Sequence, residues 1–159
     1  MKPVLITISA NLNCRPEIVF DYFYNLDLFF KWYNDPGNFE VKAMNDYQFQ
    51  DVGYKQHMIA GGGLIEFYAE VLEVSKGNYV KGKLWGFFCG TFSWEFYSYR
   101  NGCKIIKDFY ITGSNWLKHY LVKTNVTTGD KIHFDRVFKR LKKLMANDQA
   151  ILDNQMLIA

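Results

Sequence analysis

The sequence is poor in cysteine and carries little net charge. Its three cysteines, Cys14, Cys89 and Cys103, are an odd number without metal-type spacing. We therefore expect three reduced thiols, as in a cytosolic chain. The 19 basic and 16 acidic residues leave a net charge of only +3. That balance does not indicate a nucleic-acid-binding surface.

Long hydrophobic runs are also missing. No apolar stretch approaches the ~18 residues of a membrane span. Met1-Lys2-Pro3 leads directly into a predicted strand and not into a secretion signal. We expect a cytoplasmic protein without an integral membrane segment. The length fits one domain, residues 1–159, with its core at about 3–147 and a tail at 148–159.

Aromatic residues are plentiful. They make up 18% of the chain, with 14 Phe, 11 Tyr and 4 Trp. Such content exceeds the needs of a small core and suits a ligand cavity or a broad contact surface, although an aromatic sheet core also explains much of it.

The N-terminal third predicts one strand and two short helices. Val4 to Ala10 alternates branched and polar residues, as a half-buried strand does. Pro16 marks the first turn of a helix, which Asn25 ends. Asp27 is the predicted cap of a second short helix.

Hairpin-linked strands follow. We predict them at about 39–44, 48–59, 64–75, 78–87, 90–100 and 103–112. Asn101-Gly102 is a strong signal for a two-residue hairpin turn. It predicts Phe109 opposite Trp94 and Ile111 opposite Phe92, with all four side chains on one face.

The Lys76-Gly77 turn sets the register of another hairpin. It predicts Glu70 opposite Lys83 and Tyr68 opposite Trp85 on a solvated face. The opposite, inward face carries Ile65, Phe67, Ala69 and Val71 facing Leu84, Gly82 and Gly86. Because a packed core fills its space, the two inward glycines indicate a void, a sharp bend or both.

The C-terminal part predicts one long amphipathic helix. Thr127-Thr128-Gly129-Asp130 resembles a helix start, and apolar residues then recur at helical spacing to about residue 147. The opposite face is rich in Lys and Arg and is interpreted as solvated.

The order of these elements resembles the START-like helix-grip (SRPBCC) superfamily, in its polyketide cyclase/dehydrase and lipid-transport branch. The residues that carry the resemblance are Pro16-Glu17-Ile18-Val19-Phe20, Trp32, Gly53 and Asn101-Gly102-Cys103-Lys104, together with the final helix. It implies an α+β helix-grip fold: a curved antiparallel sheet of seven strands wrapped around the C-terminal helix, with two short helices after strand 1. It also implies a deep cavity between sheet and helix.

Members of this superfamily bind lipids, isoprenoids, sterols or polyketides, so the resemblance implies binding or transport of a hydrophobic small molecule. Tyr54 and Gln56 would be polar anchors in a mostly apolar wall. The predicted wall residues are Tyr54, Gln56, Met58, Phe67, Leu84, Phe92, Trp94, Phe109, Phe134, Phe138 and Leu141.

Two other functions stay open. A cyclase or dehydratase would use His119 or a tyrosine of the cavity as its acid/base. An interaction module or homodimer would use the outer aromatics Tyr68, Trp85 and Tyr97, or the tail Met156-Leu157-Ile158. No metal site and no cofactor are predicted, because the histidines lack zinc-ligand spacing and no HExxH or CxxC occurs.

The strand pattern predicts on which face of the sheet several charged side chains lie. Glu66, Glu70, Glu95 and Asp108 fall on the outward face, so no buried carboxylate pair is predicted. Three further side chains are expected near solvent. Glu73 is expected at the rim of the inward face and His133 on the polar side of the last helix. Lys107 is expected at the sheet edge, and contact with a ligand head group is its alternative.

Overall fold

The computed structural model describes the backbone of residues 1–158 and the side chains of residues 1–149. The strands are β1 (Val4–Leu12), β2 (Phe39–Ala43), β3 (Lys55–Ala60), β4 (Ile65–Ser75), β5 (Tyr79–Gly86), β6 (Phe88–Tyr99) and β7 (Gly102–Gly113). The helices are α1 (Pro16–Tyr24), α2 (Leu26–Tyr33), α3 (Trp116–Leu121) and α4 (Thr127–Ile158). A π-helical turn, Val122–Val126, joins α3 to α4, and a 3₁₀ turn, Gly61–Gly63, joins β3 to β4.

The strands form one antiparallel sheet in the order β1-β7-β6-β5-β4-β3-β2. The sheet curls into a half-barrel, and α1, α2 and α4 contribute buried side chains to the same core as its concave face. From α4 these are Phe134, Val137, Phe138 and Leu141. The predicted α+β architecture of seven strands, two short helices and a long C-terminal helix is confirmed.

The predicted register of the β6–β7 hairpin is wrong. Phe109 lies opposite Phe92, and Trp94 lies opposite Lys107. The turn consists of Arg100 and Asn101, one residue earlier than expected, and Arg100 adopts a φ of 55°. Because this moves every pair by two residues, each side chain stays on the face predicted for it.

The predicted register of the β4–β5 hairpin is right over most of its length. Glu70 lies opposite Lys83, and Tyr68 lies opposite Trp85. A bulge between Val71 and Glu73 then shifts the pairing. It turns Glu73 to the outer face, where its carboxylate accepts a hydrogen bond from the Tyr79 hydroxyl. The expected position of Glu73 on the inward rim is therefore wrong.

The segment 48–54 is a loop and not the first half of a strand. The Asp51 carboxylate accepts a hydrogen bond from the Gln48 amide at 2.9 Å, which closes a tight turn. Gly53 follows with a φ of 93°, a conformation outside the strand region. Strand β3 therefore begins at Lys55.

The boundaries of two helices also differ from expectation. Asn25 caps α2, because its side chain accepts a hydrogen bond from the Leu28 amide at 3.1 Å. Asp27 lies inside the first turn instead. Helix α4 continues to Ile158, beyond the predicted end near residue 147.

Gly82 makes room for a ring and not for a cavity. A Cβ atom there would lie 2.5 Å from Phe92 Cε1 and would overlap the Glu70 carbonyl oxygen. The interpretation of this inward glycine as a sign of a void is therefore wrong. The close approach of Phe92 requires it.

Candidate functional site

A cavity of about 440 Å³ opens between α4 and the β2–β4 end of the sheet. Four aromatic rings from four strands, Phe39, Phe67, Phe88 and Phe109, form much of its wall. Such a volume falls within the ~300–1,000 Å³ of small-molecule sites, which are mostly apolar with a few placed polar groups.

The turn between β3 and β4 forms one rim of the cavity. Gly61 to Gly63 all have positive φ, at 60°, 66° and 95°, so this tight turn depends on glycine. The turn carries Leu64 outward to 83% exposure, and both Gly61 and Leu64 contribute to the wall. An apolar side chain thus stands at the entrance.

One wall residue, Asp130, belongs to a buried ion pair. Lys107 Nζ lies 2.9 Å from Asp130 Oδ1, and the Lys107 residue is only 1% exposed. Its ammonium group also lies 3.5 Å and 3.6 Å from the ring centres of Phe109 and Phe134. Burial lowers the pKa of Lys107 to about 8, although Asp130 acts to raise it. The expectation that Lys107 reaches the sheet edge is wrong, because Asp130 of α4 supplies a partner inside the fold.

His133 is buried beside this pair and does not face solvent. Its ring packs 4.2 Å from the ring centre of Phe39 and 5.4 Å from that of Tyr33. Burial, reinforced by the charge of Lys107, lowers the pKa of His133 to about 3, so the ring is neutral at pH 7. The predicted polar-side position is wrong, because His133, Val137 and Leu141 share one stripe of α4.

Several polar atoms of this region have no hydrogen-bond partner among the described residues. In the cavity wall they are Asp130 Oδ2 and both ring nitrogens of His133. Deeper in the core they include the Tyr54 hydroxyl and Gln56 Oε1. Buried polar groups are normally paired, so these atoms are candidates for contact with a bound molecule.

A charged cluster closes the other side of the entrance. Asp35 forms ion pairs with Arg140 and, at 3.3 Å, with Arg136. Burial acts to raise the pKa of Asp35, but hydrogen bonds from both arginines outweigh it and hold the pKa below its usual value. The cluster ties the turn after α2 to the middle of α4, and Asp35 and Arg136 both line the cavity.

The predicted wall residues separate into groups. Phe67 and Phe109 do line the large cavity. Five others surround a separate void of about 10 Å³, roughly the space of one water molecule. They are Gln56, Met58, Leu84, Phe92 and Trp94. Large rings thus fill the deep part of the expected cavity and leave the open volume near its mouth.

The remaining predicted residues lie elsewhere in the core. Tyr54 is 1% exposed, and burial raises the pKa of its hydroxyl. Phe134 and Phe138 line a different groove of about 470 Å³ between β1 and α4, and Leu141 is fully buried. His119 is 8% exposed, lies 3.3 Å from the Thr112 hydroxyl through Nδ1, and does not line the 440 Å³ cavity.

Asp130 and His133 were missed as wall residues by sequence reasoning. The signal was present, since Asp130 precedes Phe134 by four positions and His133 precedes Val137 by four. Each polar residue therefore lies on the apolar stripe of the helix. What their spacing does not show is that Lys107 meets them from the sheet.

The outer face of the sheet carries a row of stacked rings. Tyr68 stacks on Trp85 with ring centres 5.6 Å apart and on His57 at 4.7 Å. The predicted Tyr68–Trp85 pair is therefore confirmed, and Tyr97 is 47% exposed on the same sheet. The side chains of Met156-Leu157-Ile158 lie outside the described residues.

Neither a metal centre nor a membrane span is found in the part of the chain that the structure describes. No group of three metal-binding side chains comes together there. No helix combines the length and the apolar character that crossing a bilayer requires.

Sheet and helix together define a helix-grip-like fold with an apolar cavity near the helix start. Solved structures share this fold. Protein CV1439 from Chromobacterium violaceum is similar at a TM-score of 0.65 and 18% identity, over 89% of this chain and 97% of that one. Protein Ms6760 from Mycobacterium smegmatis reaches 0.67 at 11% identity, over 91% and 92%.

A third similar structure is the Aha1 dimer from Colwellia psychrerythraea, with a TM-score of 0.60 and 14% identity over 87% of this chain and 93% of that one. No family model and no curated protein matches the sequence. At such identities the structural matches establish the fold and leave the activity to be argued from the site.

Proposed function

We propose that this chain is a START-like protein that binds a hydrophobic small molecule of the lipid, isoprenoid or polyketide kind. The observation that carries the proposal is the 440 Å³ cavity with an aromatic wall, open at the start of α4. Its few polar groups stand at defined places, as in a specific binding site.

Burial of apolar ligand area would supply the driving force. Each Å² removed from water contributes roughly 25 cal/mol before the costs of ordering. The four rings of Phe39, Phe67, Phe88 and Phe109 come from separate strands of a continuous sheet, so the wall is largely formed before binding. A preformed wall reduces the ordering cost.

Binding is favoured over acid/base catalysis by the position of the candidate catalyst. His119 lies outside the cavity wall and contacts Thr112. Among the other ionisable groups in the wall, Asp35 pairs with arginines and Asp130 with Lys107. His133 has no hydrogen-bond partner among the described residues, but burial lowers its pKa to about 3, so its ring is a poor proton acceptor at neutral pH. A general acid/base needs hydrogen-bond reach of its substrate, and His119 does not have it from this position.

The first test is native mass spectrometry of the protein purified from its expression host, followed by extraction of bound molecules. We expect a co-purifying apolar compound. A variant, Ala60→Trp, fills the cavity, because Ala60 lies in its wall at the end of β3. The control is Ala43→Trp, since Ala43 is exposed on the neighbouring strand β2.

The proposal predicts that Ala60→Trp loses the bound compound while Ala43→Trp keeps it. A folded wild-type protein that carries nothing and takes up no alcohol, acid or amine with a decyl chain would overturn the proposal.

A further inference from the structure

The cavity wall contains a group of polar atoms that the protein itself leaves unpaired. Asp130 Oδ2 and both ring nitrogens of His133 have no partner within the described residues. The Asp130 side chain is 10% exposed and His133 is 7% exposed, so water does not solvate them freely. A buried polar group without a partner destabilises the fold until a partner arrives.

The two residues form a matched donor and acceptor. They are three positions apart on α4 and therefore neighbours on one face of the helix. Asp130 accepts hydrogen bonds through its free oxygen, because its other oxygen is bound to Lys107 Nζ. The neutral His133 ring carries one N–H donor and one acceptor nitrogen. A single hydroxyl group, which donates once and accepts once, can pair with Asp130 Oδ2 and with the N–H of His133, and it leaves the second ring nitrogen of His133 without a partner.

We propose that the ligand of this cavity is a neutral alcohol: an apolar body whose hydroxyl group donates to Asp130 Oδ2 and accepts from His133. This inference rests on the proposed function, because it assigns the head group for which the same cavity is built.

The charges around the wall select against ionised head groups. Lys107 and Asp130 already neutralise each other at 2.9 Å. A carboxylate placed there would oppose Asp130 and leave a net negative charge in a buried site. An ammonium would compete with Lys107 for the same carboxylate and leave a net positive charge. A hydroxyl adds hydrogen bonds without adding charge.

Arg136 offers the alternative position for an acid. It lines the entrance, and its side chain is 52% exposed. However, its guanidinium is already paired with Asp35, which also binds Arg140. A carboxylate at the entrance would have to share that cluster with Asp35, so we expect weaker binding there.

The test compares 1-decanol, decanoate and decylamine in isothermal titration calorimetry at neutral pH, because their equal chains isolate the head group. We expect decanol to bind about tenfold more tightly than decanoate or decylamine, as one to two hydrogen bonds would give. In His133→Phe, which keeps an aromatic ring against Phe39, we expect the preference for decanol to fall to about twofold.

Asp130→Asn is the second variant, with Asp135→Asn as its matched control. Asp135 lies on the same helix, pairs with Lys139 and has a side chain that is 69% exposed. Asp135→Asn should keep the wild-type preference. If Asp130→Asn does not fold, the comparison of wild type with His133→Phe decides the question alone.

Each result has a distinct meaning. Binding of decanoate or decylamine as tight as that of decanol, or a decanol preference that survives in His133→Phe, would overturn the alcohol assignment while the binding function stands. If none of the three compounds bound to the folded wild type, both the assignment and the proposed function would fail.

Discussion

At the scale of single residues, the buried pair of Lys107 and Asp130 is the most consequential contact. It joins β7 to the first turns of α4 through a 2.9 Å ion pair inside the core. Removal of one member leaves an uncompensated charge, which is far more costly than loss of an exposed pair. The pair also positions Asp130 in the cavity wall.

Asp130→Asn should therefore destabilise the fold in a pH-dependent way. We expect a loss of about 3 kcal/mol in the free energy of unfolding near pH 6. Without Asp130 the pKa of Lys107 falls below its value of about 8. Near pH 9.5 the amine is neutral in the folded state of both proteins, so the loss should shrink. Urea unfolding of both proteins at both pH values measures this difference in the free energy of unfolding. An equal difference at the two pH values would contradict this account.

His133 should make the protein sensitive to acid. Its folded-state pKa of about 3 lies below the ordinary 6.5, so the unfolded state binds the proton first. Stability from this group is complete above pH 6.5 and declines as the pH falls toward 3.

His133→Phe should remove this decline. Between about pH 7 and pH 5 we expect the variant to lose about 1–2 kcal/mol less than the wild type. Chemical unfolding across that range provides the measurement. If the free energies of unfolding of the two proteins fell equally with pH, His133 would have to be solvated or paired in the fold.

At the scale of elements, two glycines contribute to the fold in opposite ways. Gly82 in β5 leaves room for the Phe92 ring, whereas Gly129 in α4 has nothing within 4 Å of where a Cβ atom would stand. The first is required by packing. The second only lowers the stability of the helix.

Gly82→Ala should destabilise the protein by about 1–3 kcal/mol or more, because the new methyl group collides with both Phe92 and the Glu70 carbonyl. Thermal unfolding would show the loss. If Gly82→Ala unfolded at the same temperature as the wild type, Phe92 would not occupy the inward face beside Gly82.

Gly129→Ala should have the opposite effect. Alanine is favoured over glycine in a helix by about 0.5–1 kcal/mol, and space for the methyl group is open. We expect a higher unfolding midpoint, measured alongside Gly82→Ala. A lower midpoint would indicate that the start of α4 does not hold its helical conformation.

At the scale of the whole molecule, α4 is the part that the cavity, the core and the entrance share. Polar contacts fix it along its length, among them Lys107–Asp130, Asp35–Arg136 and Tyr22–Asp148, the last at 2.6 Å. These contacts come from β7, from the turn after α2 and from α1. Because its start also forms one wall of the cavity, a bound molecule should stabilise the whole fold.

Decanol should therefore raise the unfolding midpoint of the wild type. At a concentration one hundred times the dissociation constant the gain is ~2.7 kcal/mol, or several degrees for a chain of this size. Differential scanning fluorimetry measures the shift. Ala60→Trp should show none and Ala43→Trp the full shift; equal shifts in all three proteins would place binding outside the cavity.

The sequence by itself determined the order of elements, the inward and outward faces of β4 to β7 except at Glu73, and the apolar stripe of α4 except for Asp130 and His133. These depend on periodicity and on turn residues, which act over a few positions. A register error of two residues in the β6–β7 hairpin left the faces unchanged for the same reason.

Only the tertiary structure decided where the open volume lies and which polar groups face it. The rings of Phe92 and Trp94 fill the deep part of the expected cavity, and Lys107 meets Asp130 across a separation of 23 residues. Packing and charge pairing of this kind depend on distances between elements, which local patterns do not contain. The cavity of this protein is therefore a property of how α4 sits against the sheet.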